Sequence, residues 1–196
     1  MKIVCLLGSP RLHGNSAAIA RHLCETAEKL GAQVRTFALN ELTYRGCQGC
    51  MACKTKLDRC ILEDDLSEVL EAVMDADVLV MASPVYFGEL SSQLKGFVDR
   101  TFSYLVPDFI VNPKKSRLAP GKTVIFILAQ GNPDEQAFAD IFPRYDYFYK
   151  GRGFDCSRLI RVCGVRDAGE VNGRKDVLTL AENTARQLFD GGACPQ

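Results

Sequence analysis

The chain has 196 residues, enough for one domain with a full core. Hydrophobic residues make up 47% of it, which excludes a disordered polypeptide. Lys plus Arg and Asp plus Glu both total 24, so no cationic excess is available for a nucleic acid or an anionic membrane surface.

The opening "MKIVCLLGSP" holds one Lys and a short apolar run, Ile3 to Leu7, below the length of a secretory core. No apolar run approaches the ~20 residues of a membrane span. The expectation is a cytoplasmic chain, where thiols stay reduced. Nine cysteines there read as metal ligands or core residues rather than disulfides.

In chain order, "KIVCLL" (2–7) is a near-continuous apolar run, as a strand covered on both faces requires. A helix follows from Asn15, with Ile19, Leu23, Ala27 and Leu30 on one face and Gly31 placed as its C′ residue. "QVRTFAL" (33–39) is the second strand. Leu66, Val69, Leu70, Val73 and Met74 mark a helix, and Asp65 with Glu68 has the spacing of a capping box. "DVLVMA" (77–82), "TVIFILA" (123–129) and "SRLIRV" (157–162) complete five strands, and helical patterns cover 91–102, 134–148 and 174–189. This alternation predicts a single domain over 1–196, a three-layer α/β sandwich around a parallel sheet with right-handed crossovers. The segment 104–121 contains three prolines and is too long for a tight connection. It reads as an ordered functional loop or a subunit contact, with Leu105, Val106, Phe109, Ile110 and Val111 expected to be exposed.

Three loops carry binding chemistry. "GSPRLHGNS" (8–16) joins the first strand to the first helix. Backbone N–H groups at that helix start, the Ser9 and Ser16 hydroxyls, the Asn15 amide and the Arg11 guanidinium would cradle a phosphate. Neither a dinucleotide fingerprint nor a Walker loop is present. In "SPVYFGELSSQLKGFVDRT" (83–101), Pro84 ends the third strand, Tyr86 and Phe87 offer flat faces, Gly88 permits close backbone approach, and Ser91 or Ser92 caps the next helix. "AQGNP" (129–133) supplies small, turn-prone residues after the fourth strand.

"CQGCMACKTKLDRC" (47–60) places Cys47, Cys50, Cys53 and Cys60 within fourteen residues. A metal site, a disulfide framework or accident would each account for such crowding. Cys5, Cys24, Cys156 and Cys163 fall in apolar or helical settings and read as core residues, while Cys194 sits in the tail "DGGACPQ".

"GSPRxxGNS", "SPVYFGxxSxQLKxFxDR" and the strand spacing resemble the flavodoxin-like NAD(P)H-dependent FMN reductases. With the four-cysteine run between them, the resemblance is to the iron–sulfur flavoprotein branch, over about residues 1–130. It implies a flavodoxin-like fold with a five-stranded parallel sheet. It also implies FMN held at its phosphate by Ser9, Arg11, Asn15 and Ser16, and along its ring by Pro84, Val85, Tyr86, Phe87 and Gly88. Gln130, Gly131 and Asn132 follow as further cofactor contacts.

In such proteins the compact cysteine run ligates one [4Fe-4S] cluster, which implies Cys47, Cys50, Cys53 and Cys60 as ligands here. Closely spaced thiolates can each take one iron corner of a cubane, whereas zinc sites favour two separated C-x-x-C knuckles. Cys60 precedes Ile61 rather than Pro, so this is not the ferredoxin run. Glu63, Asp64 and Asp65 either lower the cluster potential or cap the following helix.

The expected function is electron transfer between FMN and the cluster, with the chemistry on the cofactors and no catalytic side chain. NAD(P)H is the expected donor. The acceptor is a redox partner protein or a small molecule, and the assembly a homodimer or homotetramer. The alternative is a cluster-free NAD(P)H-dependent FMN or quinone reductase.

Overall fold

The computed structural model describes residues 1–190 of the chain, so the expectation for Cys194 lies outside the described residues. Among the described residues six strands are formed: β1 (Lys2–Leu7), β2 (Gln33–Ala38), β3 (Val78–Tyr86), β4 (Glu89–Leu90), β5 (Lys122–Ala129) and β6 (Phe154–Val162). The helices are α1 (Asn15–Lys29), α2 (Ala52–Thr55), α3 (Leu66–Asp75), α4 (Ser92–Arg100), α5 (Ile141–Tyr149) and α6 (Lys175–Gln187). Five strands run parallel in the order β2-β1-β3-β5-β6, and the short β4 pairs antiparallel with the end of β3. Without β4 this is the flavodoxin-like order 2-1-3-4-5, as expected.

The period-two alternation of the strands decides the layers. Val4, Leu6, Leu79, Met81, Val124, Phe126 and Leu128 point to the face covered by α3, α4 and α5. Ile3, Cys5, Leu7, Val78, Val80, Ile125 and Ile127 point to the opposite face, covered by α1 and α6. Both faces of the central strands are buried, so their sequences read as continuous apolar runs.

Helix ends agree with expectation at α1 and depart from it at α3. α1 terminates as foreseen: Gly31, at φ 95°, donates to Glu28 O, and Ala32 N–H donates to Ala27 O, a Schellman closure. Leu30 and Met74, placed on buried faces by periodicity, are more than one-third exposed. The capping box at α3 does not form. Asp64 rather than Asp65 accepts from Leu66 N–H, Asp65 accepts from Thr43 N–H, and Glu68 pairs with Arg35.

The helix expected over 134–148 begins only at Ile141. Upstream, the Asn132 and Asp134 side chains accept from the N–H groups of Asp134 and Gln136, local bonds that compete with the helical ladder. Pro84 does not end its strand. β3 stays in register with β5 through Pro84–Ala129 and continues to Tyr86.

The 104–121 segment folds back on itself through a Leu105–Ser116 bridge. Leu105 is buried there, and Val106 and Phe109 are half-buried. Ile110 and Val111 stay exposed. Cys5 and Cys24 are core residues, but Cys163 and Cys156 are only half-buried, and Cys156 is disulfide-bonded rather than a free core thiol. No helix of the described residues is long and apolar enough to cross a membrane.

Candidate functional site

The carboxyl ends of β1, β3, β5 and β6 open on one cleft of about 180 Å³. Ser9, Arg11, Gly14, Asn15 and Ser16 line it from the first loop, Pro84, Val85 and Tyr86 from β3, and Gly131 from the loop after β5. The loop after β6 adds Val165, Arg166 and Ala168, which sequence reasoning missed. The topology signals them, because every βα loop of a parallel sheet opens at the same edge.

The first loop is held tightly to the sheet. Gly8 N–H donates to Ala82 O, and the Ser91 hydroxyl donates to Gly8 O at 2.6 Å. Ser91 also accepts from Leu94 N–H, which makes it the N-cap of α4, as expected for one of Ser91 and Ser92. A Cβ on Gly8 would lie 2.8 Å from Leu94 Cβ and 3.0 Å from Ala82 O, so only glycine fits. Ser9 Oγ accepts from Arg11 N–H, which curls the loop over the start of α1.

No side chain caps α1, whose N-cap is Gly14. The first N–H groups of a helix have no partners within it, and the macrodipole adds partial positive charge there. The Ser16 hydroxyl is buried in this region and has no hydrogen-bond partner. Arg11 is exposed and donates to Arg166 O at 3.2 Å, which leaves most of its donors free.

The Asn15 side chain lines the cleft and also braces the loop beside it. Its amide donates to Asp167 O, and its carbonyl accepts from Val171 N–H. It therefore pins the β6–α6 loop against the cleft. Gln130 is likewise committed internally: it donates to Asn132 O and Asp134 O and accepts from Arg161. Of Gln130, Gly131 and Asn132, only Gly131 lines the cleft.

The β3–β4 turn, Phe87–Gly88, has φ of 49° and 75°, the left-handed pair of a type I′ hairpin. Phe87 at its tip is fully exposed, and Tyr86 is partly so. Sequence reasoning missed β4, because a two-residue strand has no periodicity to detect.

The cysteine loop leaves the same edge after β2. Its ends are zipped together: Thr43 N–H and Arg45 N–H donate to Asp65 and Asp64, and Asp65 N–H donates to Thr43 O. The buried Arg100 donates to Arg45 O, Leu62 O and Asp64. Asp64 thus serves the fold at the loop's exit and caps α3.

Farther along, Lys54 donates to Phe102 O and Leu105 O and lies 3.4 Å from Cys53 Sγ. Arg117 donates to Cys53 O. Burial lowers the Lys54 pKa, and attraction to Cys53 and Cys47 only partly offsets that. Burial also opposes the Arg100 charge, but Asp64 and the Cys60 sulfur outweigh it. Cys47 and Cys50 are exposed, Cys53 and Cys60 half-buried, and all four are free. Among the described residues no group of three or more His, Cys, Asp or Glu side chains is gathered as a metal site, so the four thiols are not drawn together.

Residues 1–141 match the family described as NADPH-dependent FMN reductase. An iron-sulfur flavoprotein of Methanocaldococcus jannaschii is 36% identical over 124 residues, which cover 63% of this chain and 60% of that protein. Another from the same organism is 35% identical over 101 residues, 52% of each chain. The chain therefore spans about half the length of the curated relatives it matches. Among solved structures, an NAD(P)H:quinone oxidoreductase from Methanothermobacter marburgensis superposes with a TM-score of 0.76 at 17% identity, covering 96% of this chain and 97% of that one. An FMN-dependent NADH-azoreductase from Bacillus anthracis, solved in complex with FMN, gives 0.69 at 16% identity, covering 96% and 99%. At these identities the likeness is one of fold.

Proposed function

The chain belongs to the NADPH-dependent FMN reductase family, and from that premise we propose that it is a flavin-dependent oxidoreductase with one FMN in the carboxyl-edge cleft and a [4Fe-4S] cluster on Cys47, Cys50, Cys53 and Cys60. The observation that carries the flavin reading is the Ser16 hydroxyl, buried and without a partner at the uncapped start of α1. An unsatisfied buried hydroxyl costs about 1–3 kcal/mol, and an acceptor placed there removes that cost. The terminal phosphate of FMN is such an acceptor, and the residues present fit it. Ser9, Ser16, Arg11 and the first N–H groups of α1 would hold the dianion.

Asn15 keeps the 165–171 loop closed against the cleft, and Tyr86 with Val85 forms the wall beside the flavin. When bound, FMN supplies hydride and single-electron transfer chemistry. NAD(P)H is the proposed donor, and a redox protein or a small molecule the acceptor.

For the cluster, support comes from the donor set and from the relatives' names. Four free thiols stand on one loop, with Lys54, Arg117 and Arg100 set against an anionic group. The relatives named iron-sulfur flavoproteins add to this. When bound, the cluster would be held by these four thiolates and would supply single-electron transfer. We also propose a homodimer or homotetramer in which exposed Ile110 and Val111 are covered by another copy. Sedimentation as monomer alone at micromolar concentration would count against that assembly.

Flavin binding tests the central reading. Arg11→Ala removes a charge-assisted contact and should cost FMN on the order of 1.5–3 kcal/mol, about ten- to a hundredfold in affinity. Ser16→Ala should weaken FMN while leaving the flavin-free protein as stable as before or about 1 kcal/mol more so. Unchanged affinity in both variants, or tighter binding of FAD than of FMN, would overturn it.

A further inference from the structure

A second and larger cavity, of about 910 Å³, lies on the other side of the β3–β4 hairpin, between α4 and α5. It shares no lining residue with the cleft described above. The hairpin borders both: Tyr86 lines the cleft, and Glu89, its partner across the turn, lines the cavity. Its volume falls in the ~300–1,000 Å³ range of small-molecule sites.

Seven of its eighteen lining residues are Phe or Tyr. Most are fixed by packing. Tyr104, Tyr145 and Tyr149 are buried, and Tyr145 O–H donates to Glu89. Tyr147 and Phe148 stand edge-on to each other with ring centroids 5.5 Å apart, yet are 76% and 48% exposed at the rim. Two flat apolar rings left in water beside a concave aromatic wall would gain burial from a planar guest.

The charges of the cavity define that guest further. Three cations face two carboxylates. Lys95 is paired with Asp99 at 2.6 Å, and Arg144 with Glu89 at 3.0 Å. Arg152 is left over: among the described residues no carboxylate lies within ion-pair distance of its half-buried guanidinium. Its guanidinium carbon lies over the Phe148 ring, 5.2 Å from the centroid, and the side chain lines the cavity. Burial of that cation pulls its pKa below the ordinary value, with Tyr147 and Tyr149 only partly compensating. A fork of N–H donors beside exposed aromatic rings matches a carboxylate or sulfonate attached to an aromatic system.

We propose that this cavity is a binding site for a planar aromatic molecule carrying one negative charge, distinct from the flavin cleft. The rings of the guest lie among Phe102, Tyr147 and Phe148, and its anionic group pairs with Arg152. Cys47 and Gly49 also reach the cavity wall, so the site touches the cysteine loop as well as the hairpin.

The test uses the full chain loaded with FMN and two probes of equal ring area, 2-naphthoate and neutral 2-naphthylmethanol, titrated calorimetrically. Expected is one saturable naphthoate site per chain, with flavin retained and at least tenfold preference over the alcohol. Arg152→Met should abolish that preference and leave the alcohol unchanged. Tyr147→Ala, at a position exposed enough to spare the fold, should weaken both probes. Absence of saturable binding, equal affinity for the two probes, or an unchanged preference in Arg152→Met overturns the proposal. So does self-association that Tyr147→Ala abolishes in a chain that binds neither probe, since the occupant would then be a second copy.

Discussion

Arg100 Nη1 lies 2.8 Å from Asp64 Oδ2, and the Arg100 side chain has no solvent exposure at all. The same guanidinium donates to Arg45 O and Leu62 O, so one side chain ties together the entrance and exit of the cysteine loop. Removing one partner of a buried ion pair strands the other. Arg100→Met should therefore cost about 3 kcal/mol, the low end for such pairs because Asp64 keeps 16% exposure. Urea unfolding checks this as a lower midpoint at unchanged slope. A loss under 1 kcal/mol would show that the clamp contributes little.

The same pair sets an acid limit. Burial by itself would raise the Asp64 pKa, but hydrogen bonds from Arg100, Arg45 N–H and Leu66 N–H outweigh it and hold the carboxyl below its ordinary 3.8. A depressed folded-state pKa contributes stability that is present above the unfolded value and is lost as pH falls through the folded one. Stability should thus decline below about pH 4, and Asp64→Asn should flatten that decline while lowering stability at pH 7. An Asp64→Asn profile parallel to the wild type would place the acid sensitivity elsewhere.

Ser91 joins α4 to the loop after β1. Ser91→Ala removes both the N-cap and the bond to Gly8 O, and should cost about 1–2 kcal/mol. Because Gly8 sits next to Ser9, FMN affinity should fall along with stability. Gly8→Ala should be worse on both counts, since its Cβ has no room against Leu94 and Ala82. Thermal melts with and without FMN separate the two effects: an Ser91→Ala variant that loses stability but keeps full flavin affinity would show the loop to be positioned by other contacts.

The cluster proposal stands on Cys47, Cys50, Cys53 and Cys60 acting together. Protein purified without oxygen should carry iron and acid-labile sulfide in a ratio of about one to one, and Cys50→Ala should lose both while retaining FMN. Full flavin occupancy with no iron, even after chemical reconstitution, would mean idle thiols and favour a cluster-free reductase.

The five parallel strands were legible because each central strand is buried on both faces. That burial writes itself into the chain as runs such as "KIVCLL" and "TVIFILA". The first loop was legible for a related reason: a turn that approaches a helix N-terminus needs Gly, Ser and Asn, and Gly8, Ser9 and Ser16 occupy those places. Cysteine crowding was visible as spacing alone.

Only the tertiary structure decided how the polar residues divide their work. Asn15 and Gln130 carry the same amides as a ligand contact would, and bonds to Asp167, Val171 and Arg161, up to 156 residues away in the chain, also engage them. Asp64 rather than Asp65 caps α3 because Arg100 on another helix holds it in place. The 910 Å³ cavity is likewise invisible in sequence, since its wall is assembled from α4, α5, β4, β6 and the loops between them. Local pattern reports which face of an element is buried. Hydrogen-bond partners and cavities belong to pairs of elements, and those are set only when distant segments pack.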